Sequence, residues 1–206
     1  MAISETFLIL AAATAALAIA FGIRIAIRVA VGGGAAAPRS DGGKVSAAGG
    51  SSPPDVPGVI ALPPLIFLGF LAAAAVLEAV VPLSVLGAHA FPRYLAGAVL
   101  AAGGIVMILM GSQRFQAAGT NIPPSLPTTA LVVDGIYRRT RNPLYLGMTL
   151  VYLGAGVAAG SIWAIVLVVP LLWIINTGVI AREELYLERK FGDAYRAYKA
   201  RVRRWI

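Results

Sequence analysis

Residues 144–159 and 162–180 read LYLGMTLVYLGAGVAA and IWAIVLVVPLLWIINTGVI, with only Gly160-Ser161 between them. Neither run carries a charge, and neither alternates polar with apolar as a half-buried strand does. A bilayer takes about 20 apolar helical residues to cross, and in lipid only helices or closed barrels satisfy their own backbone. The two runs therefore predict a pair of membrane helices. A connection this short forces a tight antiparallel hairpin, so whatever precedes Leu144 meets whatever follows Ile180 at the hairpin's open end.

Working outward, further apolar spans are expected at Ser4–Ile23, Val59–Val81 and Tyr94–Gly111. Composition agrees: 59% of the 206 residues are hydrophobic and 13% charged, against about 25% charged in a soluble domain. The expected fold is an all-α integral membrane protein with about five transmembrane helices. Residues 1–31 form an N-terminal anchor, 32–58 a Gly/Ala/Pro linker, and 59–206 a four-helix core ending in a cytoplasmic helix. The first span lacks a basic n-region and an A-x-A cleavage site, and Arg24 and Arg28 follow it, which marks an uncleaved anchor.

Lys and Arg collect on the cytoplasmic side of membrane helices. With the N-terminus outside and the C-terminus inside, sixteen of the seventeen basic residues fall inside and only Arg93 lies out. Four or six spans would scatter them. The formal charge of +8 is thus accounted for by topology and anionic headgroups, and nucleic acid is not an expected partner. The lipid bilayer is, with a bacterial inner membrane as the location and the functional end facing the cytoplasm. The chain has no cysteine, which excludes disulfides and zinc–thiolate sites; no metal is expected.

Two stretches flank the hairpin. In Thr128–Gly147, Asp134-Gly135 signals a turn. Pro143 suits the first turn of a helix, with Asn142 as its N-cap and exposed N–H groups that suit a carboxylate or phosphate. The plainer reading is a helix entry with topogenic Arg138, Arg139 and Arg141. In Arg182–Lys199, a helical continuation puts Glu184 on one face with Glu188 and Arg182 near Glu183. The plainer reading there is an amphipathic helix laying Tyr186, Phe191, Tyr195 and Tyr198 on the membrane surface.

Together the two stretches resemble the isoprenylcysteine carboxyl methyltransferase and phospholipid methyltransferase families. The pattern consists of Gly135, Tyr137, Arg141, Asn142, Pro143, Tyr145 and Gly147, then Glu183, Glu184, Phe191, Gly192, Tyr195 and Tyr198. It covers about residues 114–204. The resemblance implies S-adenosyl-L-methionine bound at the inner end of the last two spans. Leu131, Val132, Gly135, Ile136 and Tyr137 would line its adenosine end, with Asn142, Pro143, Tyr145 and Glu183 holding the rest. Helix N–H groups and Arg141 would take the cofactor's carboxylate, and Glu184 would be the nearest base for an amine acceptor. The implied reaction is methyl transfer to a lipophilic or small membrane-accessible acceptor: a prenylcysteine-like carboxylate, a lipid amine or a thiol. Two positions depart from the pattern. Asn142 stands where the families usually have His, and Val179 stands where the prenylcysteine enzymes carry an Arg.

Two other classes compete. A membrane NADPH-dependent reductase of the steroid-reductase type has a similar C-terminal half, and Arg138, Arg139 and Arg141 would then face a nucleotide phosphate. A non-catalytic membrane module would explain the spans but not the density of specific residues in Gly135–Gly147. Gly32–Gly34 and Gly154–Gly160 follow no strand, so neither is a dinucleotide loop. Glu78, near the outer end of its span, is expected to snorkel. His89 is expected outside, and Gln113 and Arg114 near the pocket.

Overall fold

The computed structural model describes residues 55–83 and 90–206. The expected first span, most of the linker and His89 lie outside the described residues. Regular structure within them is entirely helical: α1 (Pro63–Val80), α2 (Ala90–Ala117), a 3-10 turn (Gly135–Arg138), α3 (Pro143–Ala159), α4 (Ile162–Ile174), a π-helical turn (Ile175–Ile180), α5 (Ala181–Phe191) and α6 (Asp193–Arg201). Pro63–Val80, Phe91–Ala117 and Ile162–Phe191 are long and apolar enough to cross a membrane, and Pro143–Ala159 is apolar but shorter. The third span was expected to stop at Gly111, yet its helix runs to Ala117. Hydropathy ends where Ser112, Gln113 and Arg114 begin, but these polar residues continue a helix readily.

Local chemistry fixes the hairpin. Gly160, at φ +72°, ends α3: its N–H bonds the Val157 carbonyl and the Ser161 N–H bonds Gly156, both at 3.0 Å, as in a Schellman ending. Ser161 then caps α4, its hydroxyl oxygen accepting from the Ala164 N–H at 3.4 Å. The same hydroxyl donates to Glu78 at 2.8 Å. Glu78 therefore does not simply reach for the interface; it ties α1 to the hairpin tip, where Trp163 Nε1 also donates to the Val81 carbonyl at 2.8 Å.

The tightest helix contact is between α2 and α3. Gly97 and Gly104 on one helix, and Gly147 and Gly154 on the other, are spaced by seven, so each pair shares a face. A Cβ on Gly104 would lie 2.5 Å from the Gly147 carbonyl oxygen, and one on Gly154 would lie 2.6 Å from that of Gly97. Backbone meets backbone because no side chain intervenes, the small-residue packing that associates helices where lipid removes the hydrophobic drive. On the other face of α3, Tyr145 and Tyr152 join Ile66 and Phe67 of α1 and Leu171, Ile174, Ile175 and Val179 in one buried cluster.

Gly147→Leu should force α2 off α3, costing on the order of 1–3 kcal/mol and lowering the melting temperature of detergent-purified protein. Gly103→Ala, where a Cβ meets nothing within 4 Å, should leave melting unchanged or raise it.

Candidate functional site

The hairpin's open end brings Asn142-Pro143, at the start of α3, against the first turn of α5, which carries Glu183 and Glu184. Consecutive helix residues point about 100° apart, so the two carboxylates meet different partners. Glu183 faces α3, and the Tyr145 hydroxyl donates to its Oε1 at 2.6 Å. Glu184 faces two guanidinium groups. Arg141 Nη2 donates to Oε1 at 2.7 Å; Arg204 forks across the carboxylate, Nε to Oε1 at 3.0 Å and Nη2 to Oε2 at 2.7 Å.

These surroundings push the acids apart. Both lie in α5, beyond the apolar stretch that ends at Ile180. Burial pushes the Glu183 carboxyl up to about 7, the Tyr145 bond opposing the rise and neighbouring Glu184 adding to it. Burial also raises Glu184, but the bonds from Arg204 and Arg141 outweigh it and hold this carboxyl below its ordinary range. One acid thus takes up a proton near neutrality while its neighbour stays an anion.

The C-terminal tail closes the site. The Arg141 N–H donates to the Arg203 carbonyl at 3.0 Å, and its Nη1 to the carbonyls of Lys199 (3.0 Å) and Val202 (2.8 Å). The Arg204 carbonyl accepts from Asn142 Nδ2 at 3.0 Å and from the Thr140 hydroxyl at 3.2 Å. Trp205 Nε1 donates to Asn176 Oδ1, in the π turn, at 3.0 Å. Three expectations change here. Asn142 occupies the N-cap position but its side chain makes no capping bond. Arg141 has both terminal nitrogens bonded to Glu184 and backbone carbonyls, and only its buried Nε is without a partner. Glu184, pinned as an anion, is badly placed to accept a proton.

One cavity is lined by Leu131, Val132, Tyr137, Arg141, Asn142, Pro143, Tyr145, Glu183 and Glu184. Gly135 and Ile136 do not line it. Gly135 turns the chain at φ +62° beside the Arg114 side chain, and Ile136 packs outside with Tyr137, Tyr195 and Tyr198. Tyr195 and Tyr198 are buried, not laid on a membrane surface; the Tyr198 hydroxyl donates to the Tyr137 carbonyl at 2.7 Å. Phe115 lines the cavity where Gln113 and Arg114 were expected. Among the described residues no donor reaches the second oxygen of Glu183, and no three His, Cys, Asp or Glu side chains gather as metal ligands.

The mouth is bordered by residues read as linker. Pro57 lines the cavity, Arg182 Nη1 donates to the Gly58 carbonyl at 2.9 Å rather than pairing with Glu183, and Lys190 pairs with Asp55 at 2.7 Å. The Tyr186 hydroxyl accepts from the Thr128 N–H and donates to Asp55 Oδ1, both at 3.0 Å. Sequence reasoning missed Arg204 and Pro57, and Tyr186, read as lying on a membrane surface, is buried and lines the cavity.

Comparison with known proteins places the chain in a family. The family model for phospholipid methyltransferases matches residues 92–194, half of the chain. A 63-residue stretch, 31% of this chain, is 46% identical to an uncharacterized protein of Haemophilus influenzae and covers all of it. A 72-residue stretch, 35% of the chain, is 38% identical to protein-S-isoprenylcysteine O-methyltransferase of Schizosaccharomyces pombe and spans 30% of that enzyme. No solved structure matches. With its long apolar helices and a family match that runs from α2 through α5, this is an integral membrane protein that belongs to the phospholipid methyltransferase family.

Proposed function

We propose that the protein is an S-adenosyl-L-methionine-dependent methyltransferase whose cofactor lies in the cavity between α3 and α5. The observation that carries this reading is Glu183: a half-buried carboxylate that lines the cavity, bonded through one oxygen to Tyr145, with no donor among the described residues on the other. A half-paired carboxylate in a cavity with apolar walls suits a cation, and S-adenosylmethionine carries both an ammonium and a sulfonium. Leu131, Val132 and Tyr137 supply an apolar wall for the adenosine end. With Arg141 committed to Glu184, the cofactor's carboxylate falls to the free N–H groups in the first turn of α3. In this reading the protein has five spans, N-terminus out and C-terminus in, and sits in a bacterial inner membrane with the cavity facing the cytoplasm.

When bound, S-adenosylmethionine supplies a methyl group on an electron-poor sulfur. The chain's own residues orient and exclude water, which is where most of the acceleration of such a displacement arises. Glu184 acts as an anchor that fixes Arg141 and the tail. The acceptor reads as a lipid amine or a thiol more readily than a prenylcysteine-like carboxylate. Among the described residues Arg141 is the only basic one lining the cavity, and its charge is matched by Glu184. Val179, where the prenylcysteine enzymes carry an Arg, is fully buried in the helix cluster.

Isothermal titration of detergent-purified protein should show micromolar binding of S-adenosylhomocysteine and far weaker binding of NADPH; the reverse order would indicate a reductase. Glu183→Gln should weaken S-adenosylhomocysteine by about 10- to 100-fold, the loss of a charge-assisted hydrogen bond.

The pH dependence has a definite sign. The ligand's ammonium pairs with the ionised carboxylate, and in the free protein Glu183 takes up a proton as pH falls through about 7. Affinity should therefore be constant above neutrality and decline below it, approaching about tenfold per pH unit. The decline should be absent in Glu183→Gln.

A further inference from the structure

The last residues of the chain contribute more to the cavity than topology requires. Arg204 lies beyond the family match, which ends at residue 194, and it does not line the cavity. Yet its guanidinium makes a two-point contact with Glu184, and its carbonyl receives Asn142 and Thr140. Glu184 and Asn142 do line the cavity, on opposite sides of the hairpin's open end. One residue therefore grips both walls, by side chain on α5 and by backbone on the entry to α3. The Glu184 side chain is only 8% exposed and that of Arg141 10%, while Arg204 reaches Glu184 from the surface with its own side chain 37% exposed.

Resting on the reading of the cavity as a cofactor site, we propose that Arg204 is a positioning residue for it: its fork on Glu184, with its carbonyl on Asn142, sets the spacing between α5 and the start of α3 at which Glu183 and Asn142 reach one small molecule. Arg141 cannot take over, because its Nη1 holds the carbonyls of Lys199 and Val202 and only Nη2 reaches Glu184. Without Arg204, Glu184 keeps a single donor, and the segment after α6 loses its side-chain contact with Glu184, leaving the exposed Lys199–Glu188 pair at 3.3 Å to hold α6 to α5. A planar fork suits a carboxylate in a way an ammonium does not, so Lys at this position restores charge but only one point of contact.

The test is a double-mutant cycle read by S-adenosylhomocysteine affinity in the full-length protein, with helicity by circular dichroism as the folding control. Arg204→Gln should lose about 10- to 100-fold in affinity, the scale of one or two charge-assisted hydrogen bonds, and Arg204→Lys should recover part of it. In a Glu184→Gln background, where the fork has no carboxylate to hold, Arg204→Gln should cost at most about twofold further, since coupled residues do not add. Equal losses in both backgrounds, or none in either, would overturn the positioning role while leaving the cofactor site standing. If the unaltered protein fails to bind S-adenosylhomocysteine, the cofactor reading fails and this inference falls with it. Loss of helicity in Arg204→Gln with full helicity and full affinity in Arg204→Gln/Glu184→Gln would also overturn it, because the tail would then serve folding alone.

Discussion

A carboxylate buried at the end of a membrane helix cannot remain charged unless cations come to it, and Glu184 draws two. Arg141 arrives from the loop before α3 and Arg204 from the chain's last residues, so three segments separated by 43 and 20 residues converge on one anion. Removing one partner of a buried ion pair commonly costs several kcal/mol, because the remaining charge is stranded. The interaction is thus less a source of net stability than a constraint on arrangement: the three segments can be buried together only in a geometry that satisfies Glu184. Everything else at the hairpin's open end is placed relative to that knot, including the Arg141 bonds that hold the end of α6.

The knot closes because the membrane helices deliver its parts within reach. Lipid tails are as apolar as the side chains they surround, so helix association rests on close packing and on the few polar contacts available. The Gly97–Gly154 and Gly104–Gly147 crossings bring α2 onto α3. At the opposite end, the Ser161–Glu78 and Trp163–Val81 bonds secure α1 to the hairpin tip. Between them the edge-to-face pair of Phe67 and Tyr152, 6.4 Å between ring centres, fills the gap. The π turn adds its own contribution. Its wider winding resets the direction in which α5 leaves the membrane stretch, and Asn176 within it takes the tail's Trp205.

Much of this was legible from the chain. The hairpin followed from a two-residue connection, and the meeting of the Asn142 and Glu183 regions followed from the hairpin. Helix ends at polar boundaries were not legible, because hydropathy reports where lipid stops and not where backbone hydrogen bonding stops; α2 passes Gly111 for that reason. The heptad spacing of Gly97 and Gly104 against Gly147 and Gly154 was visible in principle, but glycines recur throughout this chain and spacing alone does not say which face meets which. Arg204 was hidden for a different reason. A tail with eight basic residues is fully explained by charge asymmetry across the membrane, so nothing singled out the one that turns inward. Arg141 and Glu184 were found, but with roles assigned as if each were free, when each is the other's partner.

Adjacency explains why two glutamates in a row serve this site better than two on one helical face. Residues four apart would look into the same environment and repel each other there. Residues 183 and 184 look about 100° apart, one into the cavity and one into the tail, yet their backbones are joined. Any shift of Glu184 relative to the guanidinium fork therefore turns Glu183 relative to Tyr145. The fixed anion supplies rigidity, and in the proposed reading its half-paired neighbour supplies the chemistry of recognition. The same logic accounts for Asn142, whose amide is spent on a tail carbonyl and not on the helix it precedes. It holds the start of α3 to the segment that holds Glu184, so both walls of the cavity are referred to a single point in the chain.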